Sequence, residues 1–173
     1  MSPRLRYIIV WLSRIGHCRG FGIQSPADYW LVRYVINEHW PYYQYDQVGR
    51  GDDWLTRKLG CLYFRLANWR QPKVIMADSY RTYFKAGCRR AVFGESSELV
   101  LITLEDGWRE RLEQLLQRTD ERSVLVVEGI SKDKEAWNTI VDNERTGVTF
   151  DLYYCGIALF DKKRKKQHYI INF

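Results

Sequence analysis

The sequence has no C-x-x-C pair. Its four cysteines, Cys18, Cys61, Cys88 and Cys155, lie far apart, and no secretory leader is read before them. A zinc site or a disulfide framework needs closer pairing, so the four are expected to be reduced and mostly buried, as in a cytoplasmic protein. Histidine is scarce as well. His17, His39 and His168 are the only three, and none has a carboxylate or cysteine at metal-binding spacing. His17 neighbours Cys18, but no third group that would orient a catalytic pair is visible. Ser25 lies in "QSP" rather than in a G-x-S-x-G elbow, and His168 alternates within a strand pattern. Catalytic residues are therefore not assigned. Long apolar runs are missing too: "YIIVWL" (7–12) is six residues, against the roughly twenty that span a bilayer. Flanked by Arg4, Arg6 and Arg14, it has the composition of an interfacial helix, but a helix packed on its own domain is the expectation.

What is present argues for a folded domain. The 173 residues are 46% hydrophobic and 15% aromatic, enough for one full core and too aromatic for disorder. A formal charge of +6 favours solubility and attraction to anions, without naming a partner. The densest charge is the run Lys162, Lys163, Arg164, Lys165 and Lys166. It is a candidate anion-binding patch that Arg4, Arg6, Arg14 and Arg19 would extend toward nucleic acid. A solvated hairpin tip is preferred, because no aromatic-interleaved binding motif accompanies the run.

The chain divides into a helical segment (1–70) and an α/β segment (73–173) of a single domain. Ser25-Pro26 with Asp28 marks a helix start: the hydroxyl accepts a free backbone N–H, proline at the first position gives up no bond, and the acid favours the positive helix end. Tyr29, Val32, Val35 and Ile36 then share a face. From about Asp52 a second helix carries Leu55, Leu59, Leu62, Leu66 and Trp69 inward until Pro72. Beyond it, strands at 73–77, 90–93, 98–104, 123–129, 148–160 and 167–173 alternate with helices around Trp108–Leu116 and Ala136–Val141. The 148–160 segment is apolar on both faces and is expected inside the sheet. "DKKRKK" (161–166) is expected to turn the chain so that the last two strands pair antiparallel.

This order, with "GFGIQSP" (20–26), "DLYYCGIALF" (151–160) and "KQHYIINF" (166–173), resembles the class I S-adenosylmethionine-dependent methyltransferases, in an O-methyltransferase-like branch. The resemblance implies a Rossmann-like, mainly parallel sheet with a C-terminal antiparallel hairpin, preceded by N-terminal helices. It also implies a glycine-rich turn after the first strand, where only glycine lets the backbone approach the cofactor. Here that turn reads Ala77, Asp78, Ser79, Tyr80, and the nearest glycine is Gly87. Tyr80 and Arg81 are expected to fill the pocket. By the same resemblance Asp78, Glu95 and Glu128 are the vestigial cofactor-binding acids, with Thr103, Glu105 and Asp106 at the next strand end.

Length points the same way. Only "GESS" separates the 90–93 and 98–104 segments, whereas a parallel crossover needs a dozen residues or more. The two segments should then run antiparallel, or 90–93 is not a strand. The expectation is a reduced sheet of five or six strands with a damaged S-adenosylmethionine site. The corresponding role is a non-catalytic binding or assembly module, as a homodimer or with a protein partner. The alternatives are a small active methyltransferase with an altered pocket and a basic nucleic-acid-binding protein.

Overall fold

The structure, a computed structural model, describes residues 3–104 and 107–173. Glu105, Asp106 and the side chain of Arg4 lie outside the described residues. Three helices come first: α1 (Pro3–Ser13), α2 (Pro26–Leu31) and α3 (Trp54–Arg70). Strands and helices then alternate through β1 (Val74–Met76), α4 (Arg81–Gly87), β2 (Val92–Phe93), β3 (Leu99–Thr103), α5 (Trp108–Arg118), β4 (Val124–Glu128) and α6 (Lys134–Asp142). The chain closes with β5 (Val148–Asp151), β6 (Cys155–Leu159) and β7 (Gln167–Ile170).

The strands form one sheet in the order β2-β1-β3-β4-β6-β5-β7. All run the same way except β6, which is antiparallel to both of its neighbours. This is a Rossmann-like α/β fold with a C-terminal antiparallel hairpin and N-terminal helices. Alternate side chains of each central strand enter two cores. Leu99, Leu101, Val124 and Val126 join Leu59, Leu62, Leu66 and Phe84 of α3 and α4 on one face. Val100, Ile102, Leu125 and Val127 meet Leu112, Leu115, Leu116 and Ile140 of α5 and α6 on the other. Burial on both faces explains why β3 and β4 read as continuous apolar runs.

Local signals hold where they were clear. Ser25 Oγ accepts from the Asp28 amide at 3.3 Å, and Asp53 caps α3 by accepting from the Leu55 and Thr56 amides at 2.8 and 3.3 Å. Val32, Val35 and Ile36 are buried as expected, but they lie in a wider, π-type turn that follows α2, and Tyr29 on the same expected face is half exposed. Arg65, buried in α3, satisfies carbonyls at the end of that turn, donating to Val35 O at 2.6 Å and Ile36 O at 2.9 Å.

Three expectations are corrected. The sheet has seven strands rather than five or six, because 148–160 is a hairpin and not one strand. It folds back at Leu152–Tyr154, where Tyr153 takes φ 72° and its amide donates to the Asp151 carboxylate at 2.8 Å. The antiparallel hairpin is therefore β5–β6, one strand earlier than expected. The basic link carries the chain past β5, so β7 pairs parallel with β5 and not with β6. The third correction concerns 90–98. β2 and β3 are both parallel to β1 and lie on opposite sides of it. Residues 94–98 cross its face, with Ser96 Oγ donating to Val74 O at 2.9 Å. Two strand spacings are about 10 Å, within reach of five extended residues. The dozen-residue requirement applies to a crossover that contains a helix, and this one has none.

Candidate functional site

In open α/β sheets, ligands bind beyond the carboxyl ends of the strands where the strand order reverses. Here the chain leaves β1 for β2 on one side and then passes to β3 on the other, so the crevice lies beyond the end of β1. A groove of about 480 Å³ opens there, with Met76, Leu101 and Leu115 among its walls and Arg81, Arg111 and Arg118 among its polar groups. Both Asp78 and Glu95 line it. The structure thus brings two of the three sequence-nominated acids together. Each is held by an arginine of α5: Asp78 by Arg111 at 3.9 Å and Glu95 by Arg118 at 3.3 Å. The carboxylates are 99% and 86% exposed, so these pairs contribute little to stability. Their effect is on charge: three guanidinium groups face two carboxylates, and Arg81 lies over the Phe93 ring at 4.4 Å.

Glu128 is elsewhere. It ends β4 beneath an aromatic lid, where Tyr63 of α3 donates its hydroxyl to the Glu128 carboxylate at 2.7 Å. The Tyr80 hydroxyl interacts with Glu128 and Thr56. Tyr63 is fully buried, stacks on Phe84 at 5.3 Å and meets the edge of Tyr80 at 4.8 Å. Tyr80 adopts the left-handed conformation, φ 55° and ψ 21°, which costs a non-glycine residue about 1–2 kcal/mol. That conformation starts α4 where the resemblance implies a glycine turn, and it turns the ring toward Tyr63 and Glu128. Tyr80 was expected to fill the pocket with Arg81, but the groove stays open and of the two only Arg81 lines it. The Cys155 thiol, opposite Glu128 in the β4–β6 register, is pushed well above its ordinary range by burial and by the nearby carboxylate.

Burial also raises the Glu128 carboxyl above its usual value of 4.5, against the lowering effect of the two tyrosine hydroxyls. The folded state then keeps a proton that the unfolded chain has released, and stability declines as pH rises from about 4.5 through the folded-state pKa. Glu128→Gln retains an acceptor for Tyr63 and carries no charge. The variant should lose this slope and be at least as stable as the wild type at pH 7, measured by urea unfolding across pH 4–8. A loss above about 1 kcal/mol at pH 7 would show that the carboxylate itself is needed.

The remaining nominated residues are dispersed. Thr103 closes β3. Within the basic run, Lys163 pairs with Glu121 at 3.2 Å, Arg164 with the buried Asp28, and Lys166 donates to Asn143 O at 2.8 Å. Lys162 and Lys165 complete a link whose other charges are engaged. His168 Nδ1 lies 2.8 Å from Thr149 Oγ1, and Cys18 Sγ accepts from Asn172 Nδ2 at 3.2 Å. All four cysteines are free, and among the described residues no group of three or more His, Cys, Asp or Glu side chains could hold a metal. Sequence reasoning missed Tyr63, Arg111 and Arg118: the first sits in an aromatic run, and the arginines sit on an ordinary charged helix face. Comparison of the chain with protein-family models, with curated proteins and with solved structures finds no match.

Proposed function

We propose that this protein is a methyltransferase-like module that has lost efficient S-adenosylmethionine binding and acts by binding or assembly rather than by catalysis. The observation that carries this reading is Tyr80. It stands where the cofactor loop would bend, packs its ring against Tyr63 and directs its hydroxyl to Glu128. A glycine turn at this position would leave Tyr63 and Glu128 without that neighbour. Charge supports the same reading. S-adenosylmethionine is a net cation, with sulfonium and ammonium against one carboxylate, and the groove offers it three arginines whose neighbouring acids are already paired. A cationic ligand gains little in such a field.

Calorimetric titration with S-adenosylmethionine and its demethylated product tests the proposal. No detectable heat at millimolar ligand is expected. Micromolar affinity would overturn it and favour an active enzyme with an altered pocket, with Asp78→Ala and Glu95→Ala as the variants to locate the site.

A further inference from the structure

We infer that the outward face of α1 docks the protein onto an anionic lipid surface. The inference goes beyond the preceding reading and holds whether or not the groove takes a cofactor. α1 was expected to bury its apolar stripe against its own domain, as amphipathic helices of globular proteins do. The structure has it the other way round. The contacts with the body come from Tyr7, whose ring lies 4.4 Å from Trp54, from buried Val10, and from Arg14, which donates to the Asp151 carboxylate at 2.6 Å. At about 100° per residue these three side chains share one side of the helix. Ile8, Ile9 and Leu12 project from the opposite side and are 54%, 48% and 53% exposed.

Apolar side chains are exposed beyond the helix as well. Ile15 and Phe21 are exposed, Phe21 to 83%. Trp11 and Arg19 line a cavity of about 270 Å³, and Arg19 also borders a second hollow with Arg33 and the exposed Trp40. The charge that accompanies this surface is mainly positive, with Glu38 the acid among the residues lining the two hollows. Residues 1–45 contain five arginines, at 4, 6, 14, 19 and 33, and two acids, Asp28 and Glu38. Asp28 is buried under Arg164, and Glu38 accepts from the Tyr42 hydroxyl at 2.8 Å. Arg6 and Arg19 are exposed.

Exposed aliphatic side chains with tryptophan and phenylalanine, rimmed by arginine, suit the boundary between anionic headgroups and acyl chains. A second copy suits the surface less well, because pairing two such faces would bring Arg6 and Arg19 of both copies together on chains already carrying +6 each. Among the described residues no helix is long and apolar enough to cross a membrane, so the contact is with the surface.

The test is sedimentation of the full chain with vesicles of phosphatidylcholine alone and of phosphatidylcholine with phosphatidylglycerol. Binding to the anionic vesicles should exceed binding to the neutral ones by about tenfold or more and weaken in high salt. The double variant Ile8→Glu/Leu12→Glu should lose that binding while keeping the wild-type melting curve, since both side chains face solvent. Arg6→Glu/Arg19→Glu, which leaves the apolar face untouched, should lose it as well. Failure of the wild type to sediment with either vesicle would overturn the inference, as would equal binding to both or unchanged binding by the charge-reversal variant. So would a concentration-dependent dimer that Ile8→Glu/Leu12→Glu turns into a monomer, which would assign the face to a second copy.

Discussion

Arg164→Ala should destabilise the fold by about 3 kcal/mol, a fall in melting temperature of roughly 6–12 °C for a chain of this size. The Asp28 carboxylate is 1% exposed, and Arg164 is its ion-pair partner. The same guanidinium donates to Ser25 Oγ at 3.1 Å, so one side chain from the β6–β7 link fixes the helix cap of α2. Removing it leaves a buried carboxylate with the Tyr169 hydroxyl at 3.3 Å. Breaking one side of a buried pair costs about 3–5 kcal/mol; the retained tyrosine and the partial exposure of Arg164 place this case at the lower end. Arg164→Leu combined with Asp28→Leu removes both charges and should be less damaging than Arg164→Ala alone. Urea unfolding of the two variants beside the wild type checks the order. A midpoint for Arg164→Ala equal to the wild type would show that the pair contributes nothing.

Gly87→Ala should cost about 2 kcal/mol or more, although alanine is the better helix former. Gly87 closes α4 against α3, where an added Cβ would lie 2.2 Å from the carbonyl oxygen of Phe64 and 3.1 Å from the Cβ of Ala67. The obstructing atom is backbone, so no rotamer change relieves the contact and the two helices must separate. Replacing glycine in a helix returns about 0.5–1 kcal/mol at most, less than the cost of overpacking. At Gly156 an added Cβ would meet the ring of Trp137, which is buried in the second core, so Gly156→Ala should be costly as well. In the same unfolding assay a midpoint for Gly87→Ala equal to the wild type would refute the account of the α3–α4 contact.

The parts of this fold that were legible in the sequence are those set by neighbours in the chain. Ser25-Pro26 caps α2 through its own amides, Leu112, Leu115 and Leu116 repeat at helical spacing, and β3 and β4 are apolar because both faces are covered. The hairpin at 152–154 was not legible. It contains no glycine, proline or asparagine, and its positive φ falls on Tyr153, steadied by the Asp151 side chain. α1 failed for a different reason: its pattern is correctly amphipathic, but pattern alone does not say which face meets the body. Of the candidate site, Asp78 and Glu95 could be nominated from their places after strands. That Tyr63 would cover Glu128 depends on α3 crossing the sheet, and that Arg164 differs from the four lysines around it depends on Asp28, 136 positions away.

The contacts of residues 14–19 have a consequence for the order in which the protein is made. Arg14 donates to Asp151, 137 positions later, and Cys18 bridges to Asn172 beside β7. At about 5–20 residues per second, roughly seven to twenty-seven seconds of synthesis separate Arg14 from its partner. Throughout that interval the first helix leaves the ribosome with no β5 or β7 to receive it. Until then its inner side has Trp54 of α3 to pack against through Tyr7, and the Arg14 contact is among the last to be made.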